Sequence, residues 1–96
     1  MYYRGYILIR LKIIGTEWKV VEKLSGLRST DQDEDWAVTF ATPVYGGWDV
    51  MIETSFTKLQ DLDRIVTFLR TNEDLAQCID ETTTLVGSKP NYSPGK

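Results

Sequence analysis

The hydrophobic and polar positions of this chain change period several times, and each change marks an element. Over residues 4–13 the period is two. Ile7, Ile9, Leu11 and Ile13 fall on one face, and Tyr6, Leu8, Arg10 and Lys12 on the other. Such alternation predicts a strand with the first face in the core. The second face starts apolar and ends charged, so partial cover is expected there. Gly15-Thr16 breaks the strand, and Thr16 is placed to cap a helix with Glu17 near its positive end. Trp18, Val21, Leu24 and Leu27 then recur three apart, with Val20 alongside, which predicts a short helix with Trp18 on its apolar stripe and a stop near Gly26.

Residues 31–35 are acidic and read as a solvated loop. Alternation resumes over 36–44, with Trp36, Val38, Phe40 and Val44 on one face and Ala37, Thr39 and Ala41 on the other. Pro43 marks an edge or the strand's end. Tyr45-Gly46-Gly47 is a turn, and 48–56 a third strand with Trp48, Val50, Ile52 and Phe56 on one face and Asp49, Met51, Glu53 and Ser55 on the other. Two strands joined by a short glycine-rich turn form an antiparallel hairpin. Thr57-Lys58-Leu59-Gln60 has the spacing of a capping box. The helix it opens directs Leu59, Leu62, Ile65, Val66 and Leu69 to the core, and Asp61, Asp63, Arg64, Thr67 and Arg70 to water, and ends near Thr71-Asn72. Residues 78–87 are rich in β-branched side chains and form a last strand. Residues 88–96 are polar, with Pro90, Pro94 and Gly95, and read as a tail to a domain over 1–87.

Strand, helix, strand, strand, helix, strand is the order of a ferredoxin-like α+β fold, βαββαβ. It predicts an antiparallel four-stranded sheet with two helices on one face. The other face has no cover within the chain. Its mixture of aromatic, apolar, Thr and charged groups suits a self-interface, so a homodimer is expected.

Composition narrows the function. At 96 residues the chain fits one domain. The net charge is −3, the basic residues are scattered, and the dense charge cluster is acidic, at Asp31, Asp33, Glu34 and Asp35. Phosphate contacts need a basic stripe, so direct nucleic-acid binding is not expected. Cys78 is the single cysteine, which rules out an internal disulfide and fits a reducing cytoplasm. Neither an apolar run of membrane-spanning length nor a signal peptide is present, so no membrane partner is expected.

Much chemistry is missing. With no histidine, the usual nucleophile–base pairs and the commonest metal ligand are gone, so no catalytic residue, metal or cofactor is expected. Asp31-Gln32-Asp33-Glu34-Asp35 resembles the start of a calcium loop, but Trp36 stands at the turn glycine and Thr42 at the bidentate Glu. No phosphate-binding glycine loop occurs.

Two segments carry a different signal. Gly46 and Gly47 permit positive φ or close approach, and Asp49 can cap the turn or meet an amine. Thr82 and Thr84 present two hydroxyls on one strand face, about 7 Å apart. Gly46, Trp48 and Asp49, then a helix, then Thr82, Thr84, Leu85 and Val86 resemble the effector-binding (regulation-of-amino-acid-metabolism) domain of the Lrp/AsnC regulators. The resemblance in topology covers 4–87, and in motif 45–87.

That resemblance implies dimerisation through the sheets, in the manner of a dimeric α-β barrel, and assembly into higher homo-oligomers with amino acids bound between dimers. It implies ligand contacts at Gly46, Trp48, Asp49, Thr82 and Thr84, and Gly47, in the same turn, joins them as a candidate. Full-length members carry an N-terminal helix-turn-helix, whereas this chain starts at the first strand and so looks like the stand-alone form. The family often has Pro-Gly-Val before the last strand, where this chain has 72–79 without that turn. The expectation is a non-enzymatic amino-acid-binding and oligomerisation module that modulates transcription through a full-length regulator of the same family. The alternatives are an association module without a ligand and a small dimeric α-β barrel enzyme, a class that commonly uses histidine, haem or flavin.

Overall fold

Alternating side chains, one helical stripe after another and glycine turns produce the expected elements, plus one more. A computed structural model describes residues 2–87. The expected tail over 88–96 lies outside the described residues. The elements are β1 (Tyr3–Leu11), α1 (Glu17–Leu24), β2 (Trp36–Pro43), β3 (Val50–Phe56), α2 (Leu59–Thr71), α3 (Glu73–Cys78) and β4 (Ile79–Val86). The sheet order is β2-β3-β1-β4, antiparallel throughout. This is the ferredoxin-like α+β arrangement.

Directly opposed residues of antiparallel strands point to one face. On the helix side the rows are Ala41, Ile52, Ile7 and Thr84, then Pro43, Val50, Ile9 and Thr82. Ile7, Ile9, Val50, Ile52 and Phe56 are buried there, together with Val20, Val21 and Leu24 of α1, Leu62, Ile65 and Leu69 of α2, and Leu75 and Cys78 of α3. Gly5 leaves room for its neighbours: a Cβ at that position would stand 2.7 Å from Thr54 Oγ1 and 3.0 Å from the Phe56 ring.

On the open side the rows are Thr42, Met51, Leu8 and Thr83, then Phe40, Glu53, Tyr6 and Leu85. Phe40 and Leu85 are exposed, and Tyr6, Leu8 and Met51 half-buried, in the single chain.

Strict alternation puts Phe40 on the same face as Val38. The register shifts between Val38 and Phe40, so Thr39 is an extra residue opposite β3. One inserted residue moves every later side chain to the other face, which turns Phe40 outward and Ala41 inward. Thr39 Oγ1 donates to Glu53 Oε1 at 2.8 Å and so ties the bulge to β3.

The helices correct further expectations. Trp18 is 65% exposed rather than part of the apolar stripe. At about 100° per residue it lies about 120° round from Leu24, at the border of the buried face. The capping box does not form. Lys58 is the N-cap of α2 without a side-chain cap, and the Thr57 hydroxyl donates instead to Asp61 Oδ2 at 3.5 Å. Leu59, at the first turn, is exposed, and Asp61 is fully buried. Asp61 accepts from Arg64 Nη1 at 3.1 Å and from the Asp35 N–H at 3.4 Å. It thereby pins the acidic loop to α2.

That loop is tied elsewhere as well. Trp36 Nε1 donates to Glu34 Oε1 at 2.8 Å, and the Tyr2 hydroxyl to Asp35 Oδ2 at 2.7 Å. Finally, α3 occupies part of the expected connection. The Asn72 side chain caps it by accepting from the Leu75 N–H at 3.2 Å.

Candidate functional site

The antiparallel pairing brings the end of β1, the start of β3 and the start of β4 to one end of the sheet. The candidate residues 46–49 and Thr82 share that end, and Thr84 lies two residues further along β4. Gly46 takes φ 112, a left-handed conformation that favours glycine and closes the connection between β2 and β3. The Asp49 N–H donates to the Ile9 carbonyl at 2.9 Å, and its carbonyl accepts from the Val44 N–H at 3.0 Å. Its carboxylate Oδ2 accepts from the Leu11 N–H at 2.8 Å. Asp49 thus laces the turn to β1 with backbone and side chain together.

Arg10 joins the two candidate segments. Its guanidinium donates to the Gly47 carbonyl at 2.8 and 3.1 Å and pairs with the Glu81 carboxylate on β4. The same guanidinium lies over the Trp48 ring, 4.6 Å from its centroid, a cation–π contact. Trp48 is therefore held by Arg10 rather than by the core. In the sequence Arg10 falls on the strand's second face, with Tyr6, Leu8 and Lys12, and carries no motif. Its signal was its position next to the charged end of that face, but its partners follow only from the cross-strand register.

Thr82 and Thr84 lie on the helix side, opposite Ile9 and Ile7, and both are half-buried. Thr82 lines a depression of about 180 Å³ with Leu69, Arg70, Ala76, Asp80 and Glu81. This shallow site holds a guanidinium, two carboxylates and a hydroxyl beside apolar walls. Thr84 does not line it. Asp49 opens instead into a separate depression beside α1. Within one chain, β1 stands between the turn and β4, so the two groups are separated by two strand spacings, about 9.5 Å.

Among the described residues, no group of His, Cys, Asp and Glu side chains could hold a metal ion, and no helix is long and apolar enough to cross a membrane.

No family model and no curated protein sequence matches the chain. Solved structures do. A hypothetical protein, PHS023 from Pyrococcus horikoshii, superposes with a TM-score of 0.65 at 23% identity, covering 98% of this chain and 99% of that one. The structure of FFRP-DM1 superposes with a TM-score of 0.62 at 26% identity, covering 88% of this chain and 97% of that one. PH0061 superposes with a TM-score of 0.64 at 13% identity, and the chain covers 55% of its length. The first and third likenesses speak for the fold alone. The FFRP-DM1 likeness, at 26% identity, is compatible with an Lrp/AsnC-like domain.

Proposed function

We propose that this chain is an amino-acid-binding and self-associating module that modulates transcription through partner regulators. One observation carries the reading. The two segments that resemble the Lrp/AsnC effector domain are bridged by Arg10, from the Gly47 carbonyl to Glu81 beside Thr82, in a sheet that superposes on FFRP-DM1.

The open face supports association. Tyr6, Leu8, Phe40, Met51 and Leu85 lie across four strands without cover from the other described residues. A second copy of that face offers matching apolar rows. Arg70, Asp80 and Thr82, which line one depression, supply the charges and hydroxyl that a zwitterionic ligand needs.

A second reading, an association module without ligand, is favoured by the work Asp49 already does. Its Oδ2 is taken by the Leu11 N–H, a role that the fold alone accounts for.

Size exclusion coupled to light scattering, with and without each amino acid at millimolar concentration, separates these. The proposal expects a dimer or larger species, and at least one amino acid that shifts the mass or raises the melting temperature. A ligand at a hundred times its Kd adds about 2.7 kcal/mol to stability, enough to detect. A monomer at all concentrations refutes the association half, and unchanged mass and melting across the panel refute the sensing half.

A further inference from the structure

A second, larger depression of about 550 Å³ opens between the N-terminal turn of α1 and the β2–β3 connection. Both charged side chains in its lining, Glu17 and Asp49, are carboxylates. Each has one oxygen engaged: Asp49 Oδ2 with the Leu11 N–H at 2.8 Å, and Glu17 Oε1 with the Gly15 N–H at 3.3 Å. A carboxylate has two oxygens and about four acceptor positions, so both retain capacity.

The aromatic groups point the same way. Trp18 and Tyr45 line the depression, and both are exposed, outside the core. An exposed indole or phenol face attracts an ammonium through its quadrupole. Pro43 and Val44 supply apolar wall suited to methylene groups. The positive end of α1, equivalent to about half a charge, offsets only part of the Glu17 carboxylate.

We propose that this depression binds a small linear diamine, an aliphatic chain with an ammonium at each end. Two carboxylates from different elements, with no Lys or Arg in the lining, leave room for two positive charges. A zwitterionic amino acid would bring its own carboxylate against them. The site shares Asp49 with the amino-acid reading but uses neither Thr82 nor Thr84, so a change at Thr82 tells the two apart.

Calorimetric titration of the intact chain with 1,5-diaminopentane tests it, beside pentylamine and 1,5-pentanediol as probes of the same length. The diamine is expected to bind about tenfold more tightly than the monoamine, and the diol not at all. Glu17→Gln and Trp18→Ala, both at exposed or half-exposed positions, should each weaken diamine binding about fivefold or more. Thr82→Ala should leave it unchanged. Equal binding of diamine and diol overturns the proposal, as does full affinity in both the Glu17 and Trp18 variants while circular dichroism shows the native fold. Loss of binding on Thr82→Ala would assign the diamine to the other depression and also overturn it.

Discussion

The two faces of the sheet are made from the same strands and do different work. On the helix side, Ile7, Ile9, Val50, Ile52 and Phe56 are sealed under the helices. On the other, Tyr6, Leu8 and Met51 are half-covered, Phe40 and Leu85 open, and Arg4 pairs with Glu53 at 3.8 Å among them. The first face is closed by the chain itself, so changes there act on folding. The second has no cover from the other described residues, so under the proposed association changes there should act on self-assembly rather than on folding.

The largest effect should come from the closed face. Ile52→Ala removes a fully buried side chain at the centre of the sheet and should cost about 2–5 kcal/mol, read from the urea midpoint. A loss under half a kilocalorie would mean that the face is not a packed core. Gly5→Ala tests the same face by overfilling. Its new methyl group meets Thr54 Oγ1 and Phe56, and should cost about 1–3 kcal/mol.

Across the sheet, Phe40→Asp should change monomer stability by only about 0.5 kcal/mol while abolishing association, as light scattering would show. Unfolding by this variant would erase the contrast between the faces.

The smallest expected effect lies beyond both faces. The Tyr2 phenol is raised from its ordinary value of 10.0, first by its hydrogen bond to Asp35, then by desolvation and by the Asp35 charge. The neutral phenol is the donor. Its contribution is therefore complete below the ordinary phenol value and is lost as pH rises through the raised one. Tyr2→Phe should remove that late step from a phenolate absorbance titration and leave neutral-pH behaviour almost unchanged.

The closed face was legible in the sequence where local period decided it. Ile7 and Ile9, Val50 and Ile52, and Leu62, Ile65 and Leu69 all lie where their spacing put them. It was illegible where tertiary pairing decided. An extra residue at Thr39 has no local mark, so Phe40 and Ala41 exchanged sides unannounced. Asp61 reads as a solvent residue on helical period, yet the loop it holds through the Asp35 N–H draws it inside.

The candidate site divides the same way. Gly46 with its positive φ is readable as a turn glycine. The depressions beside Thr82 and Asp49, and the bridge that Arg10 makes between Gly47 and Glu81, depend on which strands lie side by side.

The Thr39 bulge has a consequence for solubility. β2 is an edge strand, and an unpaired edge is a template on which other chains can aggregate. Its first half is shielded by the segment after α1: the Val38 N–H donates to the Leu27 carbonyl at 2.7 Å, and the Ser29 N–H to the Trp36 carbonyl at 2.9 Å. The bulge follows at once, twisting the backbone where that shield ends. The edge that carries outward-facing Phe40 is thus a poor partner for strand addition, so the apolar ring can meet another sheet face to face without inviting growth edge to edge.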